Sequence, residues 1–229
     1  MAKRSVSMRA LLEQHNNIIK ELSKKLKTIE KEGEGRPQWK NEQRAEAIDE
    51  ARSISRVLAV ELKTTAARQE NASRDVFNET RKGLGKTQTA PTQELLWRQQ
   101  ATLLNNLEPE KAIERYRYML GKLTPDEKKA WRHVFDDTLE LAVLGDPIFE
   151  FQAEQEIAKN RTPDEKAALR AKEKAERLSE FLPTVTAILE DNVKSAIDGR
   201  EPASDPASVY DTIQQNIEAE FSPVAVIGS

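Results

Sequence analysis

One stretch of the chain could bind a nucleotide phosphate, the segment Gly83-Leu84-Gly85-Lys86-Thr87. A phosphate-binding P-loop needs the pattern G-x-x-x-x-G-K-[ST] between a buried strand and a helix, because its glycines let backbone N–H groups approach the phosphates. Here Thr80 occupies the position of the first glycine, and residues 73–79 before it are polar and helical in character. We therefore interpret the segment as a linker and predict no nucleotide site and no other cofactor.

Carboxylates and histidines are the residues that could hold a metal ion or catalyse a reaction. Asp136, Asp137 and Glu140 could offer oxygen ligands to a divalent ion, but such a trio on a charged helix is more commonly a solvated face. His15 and His133 belong to no Glu-x-x-His pair, which a di-iron helical bundle would require. The chain has no cysteine and no G-x-S-x-G motif. These patterns predict a protein that is not an enzyme, with no metal site and no evident small-molecule substrate.

A basic cluster that contains one aromatic residue is the second pattern with chemical meaning. Lysine and arginine side chains contact phosphates, and an aromatic ring stacks on a base. Glu30, Glu32 and Glu34 interrupt the cluster, and the whole chain has a net charge of -3, so a nucleic-acid partner is the less favoured alternative. The candidate contacts are Lys24, Lys25, Lys27, Lys31, Arg36, Trp39 and Lys40.

The composition indicates the class of fold that must position these residues. The 229 residues include 33% charged residues and only 8 glycines, and the remainder is rich in strong helix formers. An all-β sandwich or barrel needs more turn glycines and β-branched runs. The sequence contains no run of about 18 apolar residues, and residues 1–30 contain no apolar stretch typical of a secretory signal. We therefore expect an all-α protein, located in the cytoplasm and with no membrane partner.

The segment 5–31 is predicted to form a long helix with an apolar seam. Its large apolar residues recur at alternating spacings of three and four, the a/d pattern of a coiled coil. The breaker 33–37 should end this helix, and a second helix over about 39–80 should return along it as an antiparallel hairpin. Either this return segment or a second copy could cover the seam. The predicted residues of self-association or partner interaction are Leu12, His15, Ile19, Leu22, Leu26 and Ile29.

His15 gives the seam a pH-sensitive position. An imidazole that gains a proton near pH 6 would place like charges together if two copies met in parallel along the seam. This arrangement predicts weaker self-association at about pH 5.5 than at about pH 7.5.

The remainder of the chain contains a series of helix starts. The segments 124–127 and 162–165 both read Thr-Pro-Asp-Glu, which combines an N-cap, a first-turn proline and a glutamate at N3. Asp146-Pro147 and Asp205-Pro206 are similar starts, and Pro183 should break or kink a helix. The predicted domains are a basic helical hairpin over 1–80, a linker over 81–93, an acidic helical bundle over 94–198, and a flexible tail over 199–229 with one short helix and an apolar end.

Charge and apolar patterning together favour a structural function. Residues 1–87 carry a net charge of +6 and residues 88–229 a net charge of -9. A long apolar stripe flanked by lysines is best buried by another chain. We therefore expect an assembly or scaffolding protein that contacts itself or a protein partner through helices, in the cytoplasm or in a viral or bacterial particle. A further hypothesis is an adaptor that docks through its tail, from Val209 to Ile227.

Overall fold

A computed structural model describes residues 7–83 and 91–221, and these residues form helices and no strands. The predicted all-α fold is confirmed, and the first two helices pack against each other as the predicted hairpin. The helices of the described residues are α1 (Met8–Glu32), α2 (Pro37–Gly83), α3 (Pro91–Asn105), α4 (Pro109–Lys122), α5 (Pro125–Val143), α6 (Pro147–Asn160), α7 (Pro163–Ile197) and α8 (Pro206–Glu220).

Local capping explains where the later helices begin. At α5, the Thr124 side chain accepts a hydrogen bond from the Glu127 backbone, and the Glu127 side chain accepts one from the Thr124 backbone. Thr162 and Glu165 repeat this arrangement at α7. Such caps satisfy amides of the first turn that have no partner within the helix. The predicted Asp-Pro starts are confirmed as well, with Asp146 capping α6 and Asp205 capping α8.

Contacts between residues divide the chain into two units, and both boundaries fall inside helices. Unit 1 comprises Met1–Ser73 and Arg170–Ser229, and unit 2 comprises Arg74–Leu169. This division differs from the predicted domains, because residues 170–198 group with the hairpin and not with the bundle over 94–198. The reason is tertiary: the apolar face of α7 packs on α1 and α2.

The predicted linker over 81–93 is largely outside the described residues. Residues 81–83 end α2, and residues 91–93 begin α3. Residues 84–90 between them, like the apolar chain end over 222–229, are not among the described residues.

Unit 1 contains two apolar clusters along α1. The first cluster joins α1, α2, α7 and α8, with Leu12, Leu62, Leu189 and Tyr210 as one contribution from each helix. The second cluster joins α1, α2 and α7, and the small Ala51 of α2 belongs to it. Burying one large apolar side chain stabilises a fold by about 1.5–3 kcal/mol, so these clusters account for the packing of the hairpin against α7 and α8.

Helix α8 is held to α1 by polar contacts as well. The Asn16 side-chain amide donates to the Asp205 carboxylate at 2.5 Å, and Arg9 forms an ion pair with Asp211 at 3.4 Å. Helix α8 is therefore part of the packed unit 1.

Pro183 lies inside α7 and does not end it. Of the two predicted effects, a break and a kink, the break is wrong, because α7 runs from Pro163 to Ile197. Proline removes one backbone hydrogen bond from a helix. The neighbouring Leu182 and Val185 are buried in the first cluster of unit 1, and this packing favours the helical conformation on both sides of the proline.

Unit 2 has a single apolar cluster built from α3, α4, α5 and α6. Its centre includes Tyr116, Phe135 and Leu139, none of which is exposed to solvent. The rings of Trp97 and Phe135 meet edge to face, with centroids 6.3 Å apart and an interplanar angle of 82°. This geometry is favourable for aromatic pairs and fixes α3 against α5.

Candidate functional site

The predicted seam of α1 lies in the interior of unit 1. Side chains of α2, α7 and α8 cover it. Its members are therefore removed from water by the chain itself and present no free apolar surface to a second copy. The buried members are Leu12, His15, Ile19, Leu22 and Ile29, and Leu26 is half-buried.

His15 is a buried polar residue that lies in sequence between residues of the two clusters of unit 1. Neither of its ring nitrogens has a hydrogen-bond partner of good geometry. Burial lowers the pKa of His15 from 6.5 to about 4, and the backbone of Leu189 acts weakly in the opposite direction. Ser55 of α2 and Asn192 of α7 are also buried, and each lies in sequence between residues of the two clusters. Each of these three helices thus carries one buried polar residue between its contributions to the two clusters.

The residues predicted to contact nucleic acid lie in different environments, and some of them are already engaged within unit 1. Lys25 donates to Glu50 at 2.9 Å, and Lys40 forms an ion pair with Glu30. Trp39 is half-buried and packs against the second cluster of unit 1. These three side chains are therefore engaged within the unit, and the structure does not bring them together as a platform of basic and aromatic groups.

Three of the other predicted contacts share one exposed face of α1, while Arg36 is exposed in the turn after it. Lys24, Lys27 and Lys31 lie on this face together with Lys20, which the sequence analysis missed although its spacing to Lys24 is four residues. Spacings of four, three and four keep the lysines on one side of a helix and spread them over about 16 Å. They line a groove of about 500 Å³, here called the lysine groove, with Ile19, Ser23, Thr28 and Pro202.

The lysine groove has no compensating acidic group in its lining. Within residues 7–83 and 91–221, no carboxylate lines the groove, and none forms an ion pair within 4.0 Å with its four lysines. Lys20 has a weak electrostatic effect on Asp205, which does not line the groove. The pKa of Asp205 is lowered chiefly by the Asn16 hydrogen bond, and the charge of Lys20 adds a smaller contribution. The groove is therefore a concentration of uncompensated positive charge.

A neighbouring groove of about 350 Å³ shares Lys27 with the lysine groove, but its lining also contains carboxylates and paired arginines. Arg44 donates to the carbonyl of Ile197 at 2.9 Å and lies 4.0 Å from Glu30. Arg200 pairs with Asp198. The lysine groove therefore differs from its neighbour in having no carboxylate in its described lining.

Unit 2 presents a second unusual surface where α5 turns into α6. Leu141, Leu144, Ile148 and Phe151 are 63%, 74%, 68% and 65% exposed. The turn between them uses Gly145 at a φ of 96°, a conformation that favours glycine. Single exposed apolar residues are ordinary, but four large ones within eleven consecutive residues are typical of an interaction surface. We call these four residues the apolar corner.

A network of buried charges lies inside unit 2. The Tyr116 hydroxyl donates to Asp136 at 2.7 Å, and Arg132 and Arg81 each lie 4.0 Å from the other Asp136 oxygen. Arg132 also pairs with Glu165. Burial raises the pKa of Asp136 to about 6, although the Tyr116 hydrogen bond and the arginine charges oppose this shift. Since the groups bond to one another, the network fits a structural role that joins α2, α4, α5 and α7.

The three acidic residues considered from the sequence, Asp136, Asp137 and Glu140, lie in different environments. Asp136 is buried, whereas the exposed Asp137 forms an ion pair with Arg81 at 2.7 Å. Burial raises the pKa of Glu140. The sequence does not identify Arg81 as the partner of Asp136 and Asp137, because Arg81 precedes Asp136 by more than fifty residues.

The described helices contain neither a metal-binding cluster nor a membrane-spanning segment. No group of three or more His, Asp or Glu side chains among the described residues is arranged to hold a metal ion. None of these helices combines the length and the apolar character that crossing a bilayer requires. No family model, curated protein or solved structure matches the chain.

Proposed function

We propose that this chain is a non-enzymatic structural protein that assembles with copies of itself through helix–helix contacts at the apolar corner. The observation that carries the proposal is the exposure of Leu141, Leu144, Ile148 and Phe151, each by more than three-fifths. The α1 seam, which the sequence favoured for this role, is already covered within unit 1. We therefore propose the turn between α5 and α6, and not α1, as the site of assembly.

The size of the apolar corner favours a partner that supplies a similar surface. Burying a large apolar side chain contributes about 1.5–3 kcal/mol, so four partly exposed ones offer on the order of 5 kcal/mol. Association costs an estimated 4–15 kcal/mol, so one corner alone only reaches the lower limit of this cost. A symmetric contact doubles the apolar surface, because each copy contributes the same patch. Two corners leave at most about 6 kcal/mol after the lowest cost, so the expected result is weak self-association with a dissociation constant of about 50 μM or higher.

Sedimentation velocity over a concentration series tests this proposal on the full chain. The variant Leu144→Gln/Ile148→Gln/Phe151→Gln should sediment as a monomer where the unmodified chain forms dimers or larger species. A matched control, Val57→Gln/Val60→Gln/Val76→Gln, removes three other exposed apolar residues of α2 and should associate like the unmodified chain.

Two outcomes would contradict the proposal. One is an unmodified chain that stays monomeric up to about 1 mM, about twentyfold above the lowest expected dissociation constant. The other is an equal loss of association in the corner variant and in the control, since the effect would then be one of general surface hydrophobicity. Circular dichroism of both variants checks that their helices are retained.

The cellular location of the protein and the docking role of its tail are predictions from the sequence. We propose the cytoplasm, or a viral or bacterial particle, as the setting for this assembly. The adaptor hypothesis depends in part on the apolar residues 222–229, which are not among the described residues.

A further inference from the structure

We propose that the lysine groove of unit 1 binds the phosphate backbone of double-stranded nucleic acid without reading its sequence. The proposal concerns a surface of α1 and Pro202, and is independent of the apolar corner in unit 2. The juxtaposition that carries it is four unpaired lysines, Lys20, Lys24, Lys27 and Lys31, along one wall of a groove without a carboxylate in its described lining.

The unpaired state of these lysines contrasts with that of three other cations near the groove. Lys25 pairs with Glu50, Lys40 with Glu30, and Arg200 with Asp198. Like charges three or four residues apart on a helix repel one another by a few tenths of a kcal/mol per pair. A polyanion in the groove would remove this repulsion and release its own condensed counterions, which is the main source of binding energy for nucleic acids.

The surroundings of the groove favour phosphate over a bilayer. A helix that lies on a membrane must insert its apolar face into the lipid. The apolar face of α1 is instead packed against α2, α7 and α8, and no large apolar side chain from Met8 to Arg56 is exposed. The lysines thus have no large exposed apolar side chain of α1 beside them that could enter a bilayer.

The residue types in the groove fit point contacts to phosphate oxygens. Arginine recognises carboxylates and phosphates in the same two-pronged way, and no arginine lines this groove, so two-pronged recognition of either group is not available here. Lysine binds phosphate as a compact point charge on a flexible stem. The half-buried Ser23 adds a hydroxyl between the lysines that can contact a phosphate oxygen.

The absence of an aromatic wall favours a duplex over a single strand. Proteins that bind single strands stack the unpaired bases on aromatic rings. The residues lining the lysine groove include none, and Trp39 packs against the second cluster of unit 1. Contacts from this groove would therefore reach phosphates and not bases, which predicts binding that is strongly salt-dependent and insensitive to sequence.

Fluorescence anisotropy of the full chain with a labelled DNA duplex of about 20 base pairs tests the proposal between about 50 and 200 mM salt. Four phosphate contacts predict that the logarithm of affinity falls against the logarithm of salt with a slope of about -3.6. The variant Lys20→Gln/Lys24→Gln/Lys27→Gln/Lys31→Gln should bind at least about tenfold more weakly, with most of that slope removed. The milder pair Lys24→Gln/Lys27→Gln should show about half of the loss of slope.

A matched control separates the groove from net charge. The variant Lys63→Gln/Lys111→Gln/Lys128→Gln/Lys129→Gln removes four other exposed lysines, so its net charge equals that of the groove variant. It should bind DNA within about twofold of the unmodified chain. Circular dichroism and thermal unfolding check that each variant is folded. If the fourfold variant is unfolded, the milder pair Lys24→Gln/Lys27→Gln replaces it in the comparison.

Three results would overturn the proposal. The first is no binding of the unmodified chain at about 50 mM salt, where electrostatic binding is strongest. The second is an equal loss of affinity in the control and groove variants, which would reflect net charge alone. The third is groove-dependent binding to phosphatidylserine vesicles without binding to DNA, which would assign the groove to a membrane surface.

Discussion

The buried ring of His15 links the stability of unit 1 to pH. Its pKa in the folded chain is about 4, below the value of 6.5 that it has in water, because burial disfavours the charged imidazolium. The unfolded chain therefore takes up a proton between these values and the folded chain does not. The stabilising contribution is fully present above about pH 6.5 and is lost as pH falls towards about 4.

Acidification from about pH 7.5 to about pH 5 should accordingly cost unit 1 about 2 kcal/mol through His15 alone. The variant His15→Leu should lose less stability over this range, because it has no ring to protonate. The measurement is the free energy of unfolding in urea at both pH values, followed by circular dichroism.

The second histidine provides the control for this experiment. His133 lies in unit 2 and is less buried, and His133→Gln should retain most of the pH dependence of the unmodified chain. Identical pH dependence in His15→Leu and in the unmodified chain would contradict the assignment to His15. The earlier expectation linked this residue to self-association, whereas its position in the core links it to folding.

Helix starts were predictable from the sequence, because the signals are local. Thr124 with Glu127 and Thr162 with Glu165 cap their helices through contacts three residues apart. The choice of partner for a helix is not local. The periodic stripe of α7 indicates a buried face, but it does not indicate that the covering residues come from α1, α2 and α8. This is why the bundle predicted over 94–198 includes residues 170–198, which the contacts group with unit 1.

The two candidate surfaces differ in how far the sequence could reveal them. The basic cluster near the end of α1 was predictable, but only contacts show that Lys25 and Lys40 are paired while Lys24 and Lys27 are free of ion pairs. The apolar corner was not predictable. In helices with many apolar residues, periodicity does not decide which of them are buried, and Leu141, Leu144, Ile148 and Phe151 are exposed although they are all large and apolar.

The cap of α5 should be worth more than an ordinary cap. The Glu127 carboxylate accepts hydrogen bonds from the Thr124 backbone at 2.9 Å, from Gln93 at 2.6 Å and from the Trp97 indole at 3.3 Å. It thus ties α3 to α5 in addition to capping α5. Losing the cap alone costs about 1 kcal/mol, and each further hydrogen bond about 0.5–1.5 kcal/mol before solvent exposure reduces it.

The variant Thr124→Ala should therefore lower the free energy of unfolding by about 1 kcal/mol, and Glu127→Ala by about 2 kcal/mol. Urea unfolding at neutral pH measures both values. Thr102→Ala is a suitable control, because this exposed hydroxyl only donates to the Arg98 carbonyl of its own helix. Its effect should be below about 0.5 kcal/mol. Equal losses of unfolding free energy in the two cap variants would contradict this prediction, because the hydrogen bonds from Gln93 and Trp97 to Glu127 would then add no stability.

At the scale of the whole molecule, the two units offer different surfaces. Unit 1 contains the lysine groove, and unit 2 contains the apolar corner. Unit 2 is one continuous segment, Arg74–Leu169, and its apolar cluster draws only on residues from Trp97 to Ile157. Unit 1 needs both ends of the chain, because α1 is covered by α7 and α8.

This arrangement predicts that residues 74–169 fold when they are expressed alone. The fragment retains the complete cluster and the network around Asp136, including Arg81 and Glu165. It should be helical by circular dichroism and unfold cooperatively on heating.

The matched comparison is the fragment 94–198, whose limits follow the domain predicted from the sequence. It lacks Arg81, and it exposes Val185, Leu189 and Val193, which unit 1 buries in the full chain. An exposed apolar stripe promotes association, so this fragment should show a larger and concentration-dependent hydrodynamic size. If 94–198 is instead monomeric and unfolds at a higher temperature than 74–169, then residues 170–198 stabilise the bundle and the division between the units is incorrect.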